Sequence, residues 1–102
     1  MNKNFLTPGT IYTFKLNSGE ELVAKITDLD QDSIHLEHPV SIAPGPQGMG
    51  LVPSLFTANM SKNIQLNINS VSLVAETDES VAAKYIEATT GIKVPDKKII
   101  MG

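Results

Sequence analysis

The chain has 102 residues, of which 41% are hydrophobic and 19% charged, a composition typical of one folded globular domain. It contains no cysteine, which excludes disulfides, thiolate metal sites and a cysteine nucleophile. Its net charge is -3, and it has lysines but no arginine. Strong nucleic-acid binders, in contrast, usually have a positive net charge and several arginines.

The first two predicted strands form a hairpin. Apolar and polar residues alternate from residue 11 to 16 and again from residue 22 to 27. The turn between them contains Gly19, which can adopt the positive φ that a tight reversal needs. We therefore expect two antiparallel strands whose core residues are Tyr12, Phe14, Leu16, Leu22, Ala24 and Ile26.

The next segment predicts a turn, a third strand and a loop. Residues 28–33 favour a turn, and the shared parity of Ile34, Leu36, Val40 and Ile42 predicts a long strand with an edge position or a bulge at Pro39. Residues 43–50 contain three glycines and two prolines, which predicts a loop. The apolar residues around this loop are expected in the core, and a subunit contact is the alternative: Met49, Leu51, Leu55 and Phe56.

Apolar and polar residues alternate again at residues 64–68 and 71–74, which predicts two further strands with a brief corner at residues 69–70. The period then changes to that of an amphipathic helix, which begins at Thr77 or Asp78 and ends at Gly91. These elements predict one mainly β domain, a small, strongly bent five-stranded barrel with a short C-terminal α-helix. The barrel occupies residues 1–76 and the helix residues 77–91, and the tail, residues 92–102, either adds a strand or frays.

One segment carries a more specific pattern. Residues 14–36, FKLNSGEELVAKITDLDQDSIHL, resemble the first motif of Sm and Hfq-like proteins. Gly19 lies at the hairpin turn of that family and Asp30 matches its usual acidic residue. Ala24 stands where a glycine is usual, and Ser33 where an asparagine is usual. The resemblance covers residues 11–74 and implies an Sm-like (SH3-like) barrel.

The second Sm motif is present only as a strand pattern, since Asn67 replaces its arginine. The resemblance implies a cyclic homo-oligomer, from pentamer to heptamer, that binds single-stranded RNA at its inner rim. The implied RNA-binding residues are Asp30, Ser33, Asn67 and Asn69. Asp32, which has no π-face, stands at the position that usually stacks on a base. The alternative is an oligomeric structural or adaptor protein that has lost RNA binding.

The order of the helix and barrel resembles small Sm-like proteins of tailed phages that infect marine cyanobacteria. The N-terminus lacks the long apolar run of a signal peptide, and no stretch has membrane-spanning length. We therefore expect a cytoplasmic protein without a membrane partner, located in the host cytoplasm if it is of phage origin.

The sequence gives only weak indications of other functional sites. Asp28, Asp30 and Asp32 have the spacing that begins a calcium loop, but the glycine and glutamate of such a loop are missing, which favours a solvated turn. His35 and His38 face opposite sides of a strand, so they do not form a metal pair. We expect no metal, no cofactor and no enzymatic activity. Five lysines are expected to be scattered over the surface, with a basic patch in an oligomer as the alternative: Lys62, Lys84, Lys93, Lys97 and Lys98.

Overall fold

The structure, a computed structural model, describes residues 5–46, 48–60 and 62–91. The predicted tail, residues 92–102, lies outside the described residues. Within them the chain forms six β-strands, one 3-10 turn and one α-helix. Their bounds are β1 Ile11–Leu16, β2 Glu21–Leu29, β3 Ser33–Gly45, β4 Gly48–Pro53, β5 Ile64–Asn67, the 3-10 turn η1 Ile68–Ser70, β6 Val71–Glu76 and α1 Glu79–Thr90.

The strands form one antiparallel sheet in the order β4-β3-β2-β1-β6, and β5 pairs with β3. β3 contacts β2 along one edge, whereas two short strands share its other edge. β5 pairs with residues 33–36 of β3, and β4 pairs with residues 40–45. Among the described strands, β4, β5 and β6 therefore each have a single partner.

A β-bulge bends β3 near its middle. The register between β2 and β3 shifts beyond Val23, so that Ala24 lies opposite two residues, His38 and Pro39. His38 has a φ of 49°, in the left-handed region that is costly for a residue with a Cβ. The predicted edge or bulge at Pro39 is confirmed as a bulge, and it separates the β5-paired half of β3 from the β4-paired half.

Hydrophobic residues pack on both faces of the sheet. The first cluster, on the inner face of the curved sheet, contains Leu6, Tyr12, Phe14, Leu22, Ala24, Ile26, Ile34 and Leu36. The second cluster contains Val23, Val40 and Tyr85 and lies between the sheet and α1. Because α1 covers Val23, β2 is buried on both faces, where the alternation predicted only one.

The helix begins and ends as predicted. Asp78 is the N-cap residue, and its carboxylate accepts a hydrogen bond from the Ser80 N–H at 3.1 Å. Gly91 has a φ of 77° and its N–H donates to the Glu87 oxygen at 2.9 Å, which ends the last turn.

The mainly β class and the short C-terminal helix are confirmed, but the prediction of a closed five-stranded barrel is wrong in two respects. The sheet is open, because no ladder joins β5 to β6 in the described part of the chain, where η1 connects these strands. The strand count is six, because the bulged β3 pairs with two separate strands along one edge.

The prediction of a loop at residues 43–50 is also wrong. β3 continues to Gly45 and β4 begins at Gly48, so most of this segment is a hairpin. β4 lies at an edge of the sheet, where a proline in the adjoining end of β3 is tolerated because fewer ladder hydrogen bonds are needed. The positive φ of Gly48, 102°, provides the reversal that the prolines cannot.

Candidate nucleic-acid interface

The four residues predicted to bind RNA lie at two adjoining corners of the sheet. Asp30 begins the turn between β2 and β3, and its N–H donates to the Ser33 oxygen at 2.9 Å. Ser33 begins β3 directly opposite Asn67, the last residue of β5, and Asn69 follows in η1. The two corners, residues 30–33 and 67–70, are together called the polar rim below.

The two corners of the polar rim are joined through the main chain. The Ile68 N–H donates a hydrogen bond to the Asp32 oxygen at 3.1 Å. Residues more than thirty positions apart in the sequence are thus held side by side by backbone geometry, which does not depend on the identity of their side chains. The RNA-binding role of these residues stays a prediction.

The exposed side chain of Asn67 shapes η1. Its Oδ1 atom accepts a hydrogen bond from the Asn69 N–H at 2.9 Å, so it caps the 3-10 turn. The Val71 N–H then donates to the Ile68 oxygen at the other end of the turn. Since Oδ1 is engaged, the amide nitrogen of Asn67 is the part of its side chain suited to a ligand.

The Asp30 carboxylate pairs with a residue that the sequence did not assign to the site. Oδ2 of Asp30 lies 2.5 Å from Nε2 of His35, whose side chain is 13% exposed. The other ring nitrogen of His35 is buried without a hydrogen-bond partner among the described residues. His35 lies opposite Gln65 of β5, and it shares the outward parity of Ser33, which is the sequence signal that would have found it.

Asn17 is a second residue that sequence reasoning missed. Its N–H donates to the Ser70 oxygen and its Nδ2 group to the Asn69 oxygen, each at 2.7 Å. Its Oδ1 atom accepts a hydrogen bond from the Ser72 hydroxyl at 2.9 Å. The hairpin turn that carries Asn17 thereby holds η1, and together they border an open cleft of about 370 Å³.

The charge of this region is acidic. Asp28, Asp30 and Asp32 lie at or beside the turn that forms half of the polar rim, and no lysine occurs at residues 30–33 or 67–70. Lys25 pairs with Glu37 across β2 and β3 at 3.8 Å. The polar rim thus offers hydrogen-bonding groups for the edges of bases and no cation for phosphates.

No group of three or more His, Cys, Asp or Glu side chains suited to a metal ion is found within the described ranges. Of the lysines considered for a basic patch, Lys62 precedes β5 and Lys84 lies on α1. The other three, Lys93, Lys97 and Lys98, lie outside the described residues.

Several apolar residues predicted to be in the core are exposed instead. Met49 on β4 is 66% exposed and Phe56 is 86% exposed, and Leu55 is also exposed. Only Leu51 packs against a core cluster, the one beneath α1. The core prediction is therefore wrong for three of the four, because β4 is an edge strand and the segment after Pro53 leaves the sheet.

No protein-family model matches this chain, and the comparison with curated proteins finds no match. The helices in the part of the chain that the structure describes are too short or too polar to cross a membrane.

Proposed function

We propose that this chain is an Sm-like protein that assembles into a cyclic homo-oligomer and binds single-stranded RNA on its polar rim. The observation that carries the proposal is the placement of Ser33 opposite Asn67, with Asp30 and Asn69 beside them. The resemblance to Sm motifs picked out these four residues from separate segments, and the fold brings those segments together.

The chemistry of the polar rim favours contacts with base edges. The Asn67 amide nitrogen and the Ser33 hydroxyl donate hydrogen bonds, and carboxylate and amide oxygens accept them. Bases of single-stranded RNA present both kinds of group once they are unstacked. Because the polar rim lacks cations, phosphate contacts must come from lysines elsewhere in the assembly, and the salt dependence of binding reports them.

Assembly is supported by the free edges of the sheet. β4 pairs only with β3 and β6 only with β1 within the described sheet, and both edges carry exposed apolar side chains. These are Met49 and Val52 on β4 and Leu73 on β6, of which Leu73 is 68% exposed. Pairing a β4 edge with the β6 edge of the next copy is a head-to-tail contact, which closes into a ring when the rotation permits.

The alternative function, an oligomeric structural or adaptor protein without RNA binding, is favoured by a different observation. Two aspartates lie in the turn of the polar rim and Asp28 lies beside it, where they repel phosphates, and the Asp30 carboxylate is already paired with His35. Both functions need the same oligomer, so only an RNA-binding measurement separates them.

Fluorescence anisotropy with labelled uridine-rich and adenine-rich hexanucleotides at low salt provides that measurement. We expect saturable binding that weakens as salt rises and is reduced in Ser33→Ala and Asn69→Ala. Asn63→Ala is the matched control, because this exposed asparagine precedes β5 and lies outside the polar rim. Absence of binding to either RNA at low salt would exclude RNA binding and leave the adaptor function.

A further inference from the structure

A separate cavity of about 170 Å³ opens between the hairpin turn before β2, the middle of β3 and β5. Its walls are mainly aliphatic, and they include Leu22 and Leu36 from the first core cluster and Leu66 packed against it. An apolar cavity of roughly 150 Å³ is known to hold one benzene ring. The size and walls of this cavity therefore suit a hydrocarbon body of about one six-membered ring.

Besides the polar side chains of Ser54 and Gln65, the lining contains one exposed carboxylate, that of Glu20. Glu20 borders the cavity, and the hydroxyl of Ser41, which is only 9% exposed, donates a hydrogen bond to its Oε2 atom. Ser41 Oγ also lies 2.8 Å from Ser54 Oγ. Because the single Ser41 proton goes to Glu20, the Ser54 hydroxyl is the donor in this second bond.

This chain of hydroxyls gives the carboxylate a fixed orientation. A carboxylate held by a buried donor needs no rearrangement to accept a further hydrogen bond at the mouth of the cavity. None of the described lysines lines the cavity, so Glu20 is its only charged group. The cavity thus combines an apolar interior with one negative charge, which is complementary to an amphiphilic cation.

We infer that this cavity binds a compact organic ammonium ion with a hydrocarbon body of about one ring. The ring contacts the leucine side chains, and the ammonium group donates a charge-assisted hydrogen bond to Glu20. A neutral alcohol of the same shape loses the charge pairing, and a carboxylic acid is repelled. This ligand site is independent of the RNA-binding function proposed above.

Benzylamine is a suitable probe, with benzyl alcohol as its neutral counterpart. We expect saturable changes in the amide resonances of Leu22, Leu36 and Leu66 when benzylamine is titrated in two-dimensional NMR spectra. Benzyl alcohol should bind about threefold more weakly, because it lacks the positive charge that pairs with the exposed Glu20 carboxylate.

Glu20→Gln should weaken benzylamine binding about threefold, since the amide keeps the shape and the Ser41 contact but not the charge, and the exposed carboxylate is screened by solvent. Glu21→Gln is the matched control, because the neighbouring carboxylate lines a different cleft, next to α1. Equal affinity for amine and alcohol, unchanged binding in Glu20→Gln, or resonance changes without saturation would each overturn the inference.

Discussion

The hydroxyl group of Tyr85 donates a hydrogen bond to the main-chain oxygen of Glu37 across 2.6 Å. The same hydroxyl accepts a hydrogen bond from the Lys25 N–H at 3.1 Å. A side chain of α1 therefore bridges β2 and β3 directly beside the bulge at His38 and Pro39. Because Tyr85 is also a buried member of the second core cluster, this contact fixes the helix on the sheet.

Tyr85→Phe should lower the free energy of unfolding by about 1–3 kcal/mol, because the Glu37 oxygen and the Lys25 N–H lose a buried partner. Urea unfolding measures this loss. Tyr12→Phe is the control: among the described residues, its hydroxyl forms hydrogen bonds with the main chain of Phe5 and Thr7, which precede the sheet and do not join two strands. An equal or greater loss in Tyr12→Phe would show that the bridge has no special role.

The same tyrosine predicts a loss of stability in alkali. Burial raises the pKa of Tyr85 from 10.0 to about 12, the Lys25 hydrogen bond opposes this, and the Glu37 carboxylate adds to it. The folded state thus holds the proton more tightly than the unfolded chain. Its stabilising contribution is complete below about pH 10 and is lost as the pH rises from about 10 to about 12.

Urea unfolding of the parent chain and of Tyr85→Phe at several pH values between 9 and 12 isolates this effect, because the Tyr85 hydroxyl is the only group that differs between the two proteins. The parent should lose roughly 2–3 kcal/mol more than the variant over this range, since one pKa unit corresponds to about 1.4 kcal/mol. Parallel pH profiles of the two proteins would refute the assignment.

Charge on either free sheet edge should dissociate the proposed oligomer. Leu73→Lys on β6 and Met49→Lys on β4 each place an ammonium group on an edge proposed to pair with another copy. Light scattering should then give a lower mass at the same concentration. Phe5→Ser removes an exposed apolar side chain that lies outside the strands, and it should leave the mass unchanged.

Two substitutions at Asn67 separate the cap of η1 from RNA binding. Asn67→Asp keeps an oxygen that accepts the Asn69 N–H, so stability should be nearly unchanged, but it removes the amide donors and adds a negative charge. Asn67→Ala also removes the cap, which should cost about 1 kcal/mol in urea unfolding. RNA affinity should fall in both, and retained affinity in Asn67→Asp would exclude a direct contact.

A lysine at the acidic turn should strengthen RNA binding. Asp32→Lys replaces a repulsive charge at the polar rim, so affinity should rise and the slope of log affinity against log salt should steepen by about 0.7. Glu87→Lys changes the net charge equally but lies on α1, and it should have a smaller effect. Equal effects would indicate that only net charge matters.

The elements that the sequence predicted best are those with local causes. The bounds of β1, the cap at Asp78 and the end of α1 at Gly91 follow from alternation and from capping chemistry. The strands of the hairpin at residues 43–50 were not predicted, because the density of Pro and Gly concealed an edge strand that is defined by its pairing with residues 40–45 of β3.

In the candidate site, too, features with local causes were predicted and features that depend on tertiary structure were not. Motif resemblance selected Ser33 and Asn67. Their position opposite one another in paired strands depends on tertiary structure, which the local sequence pattern did not predict. Asn17 was missed because its partners lie far along the chain, where spacing gives no signal. His35 was missed because its partner Asp30 lies across a turn, although its parity with Ser33 places it on the outward face of β3. The exposure of Phe56 was missed because hydrophobicity alone does not distinguish a core residue from a contact surface.

Native mass spectrometry of the chain mixed with a uridine-rich hexanucleotide tests the central proposal most directly, because it reports assembly and RNA binding together. We predict a species of roughly five to seven copies of the 11.0 kDa chain with RNA bound. A single 11.0 kDa chain without RNA at micromolar concentration would contradict the proposal, and an oligomer without RNA would leave the adaptor function in its place.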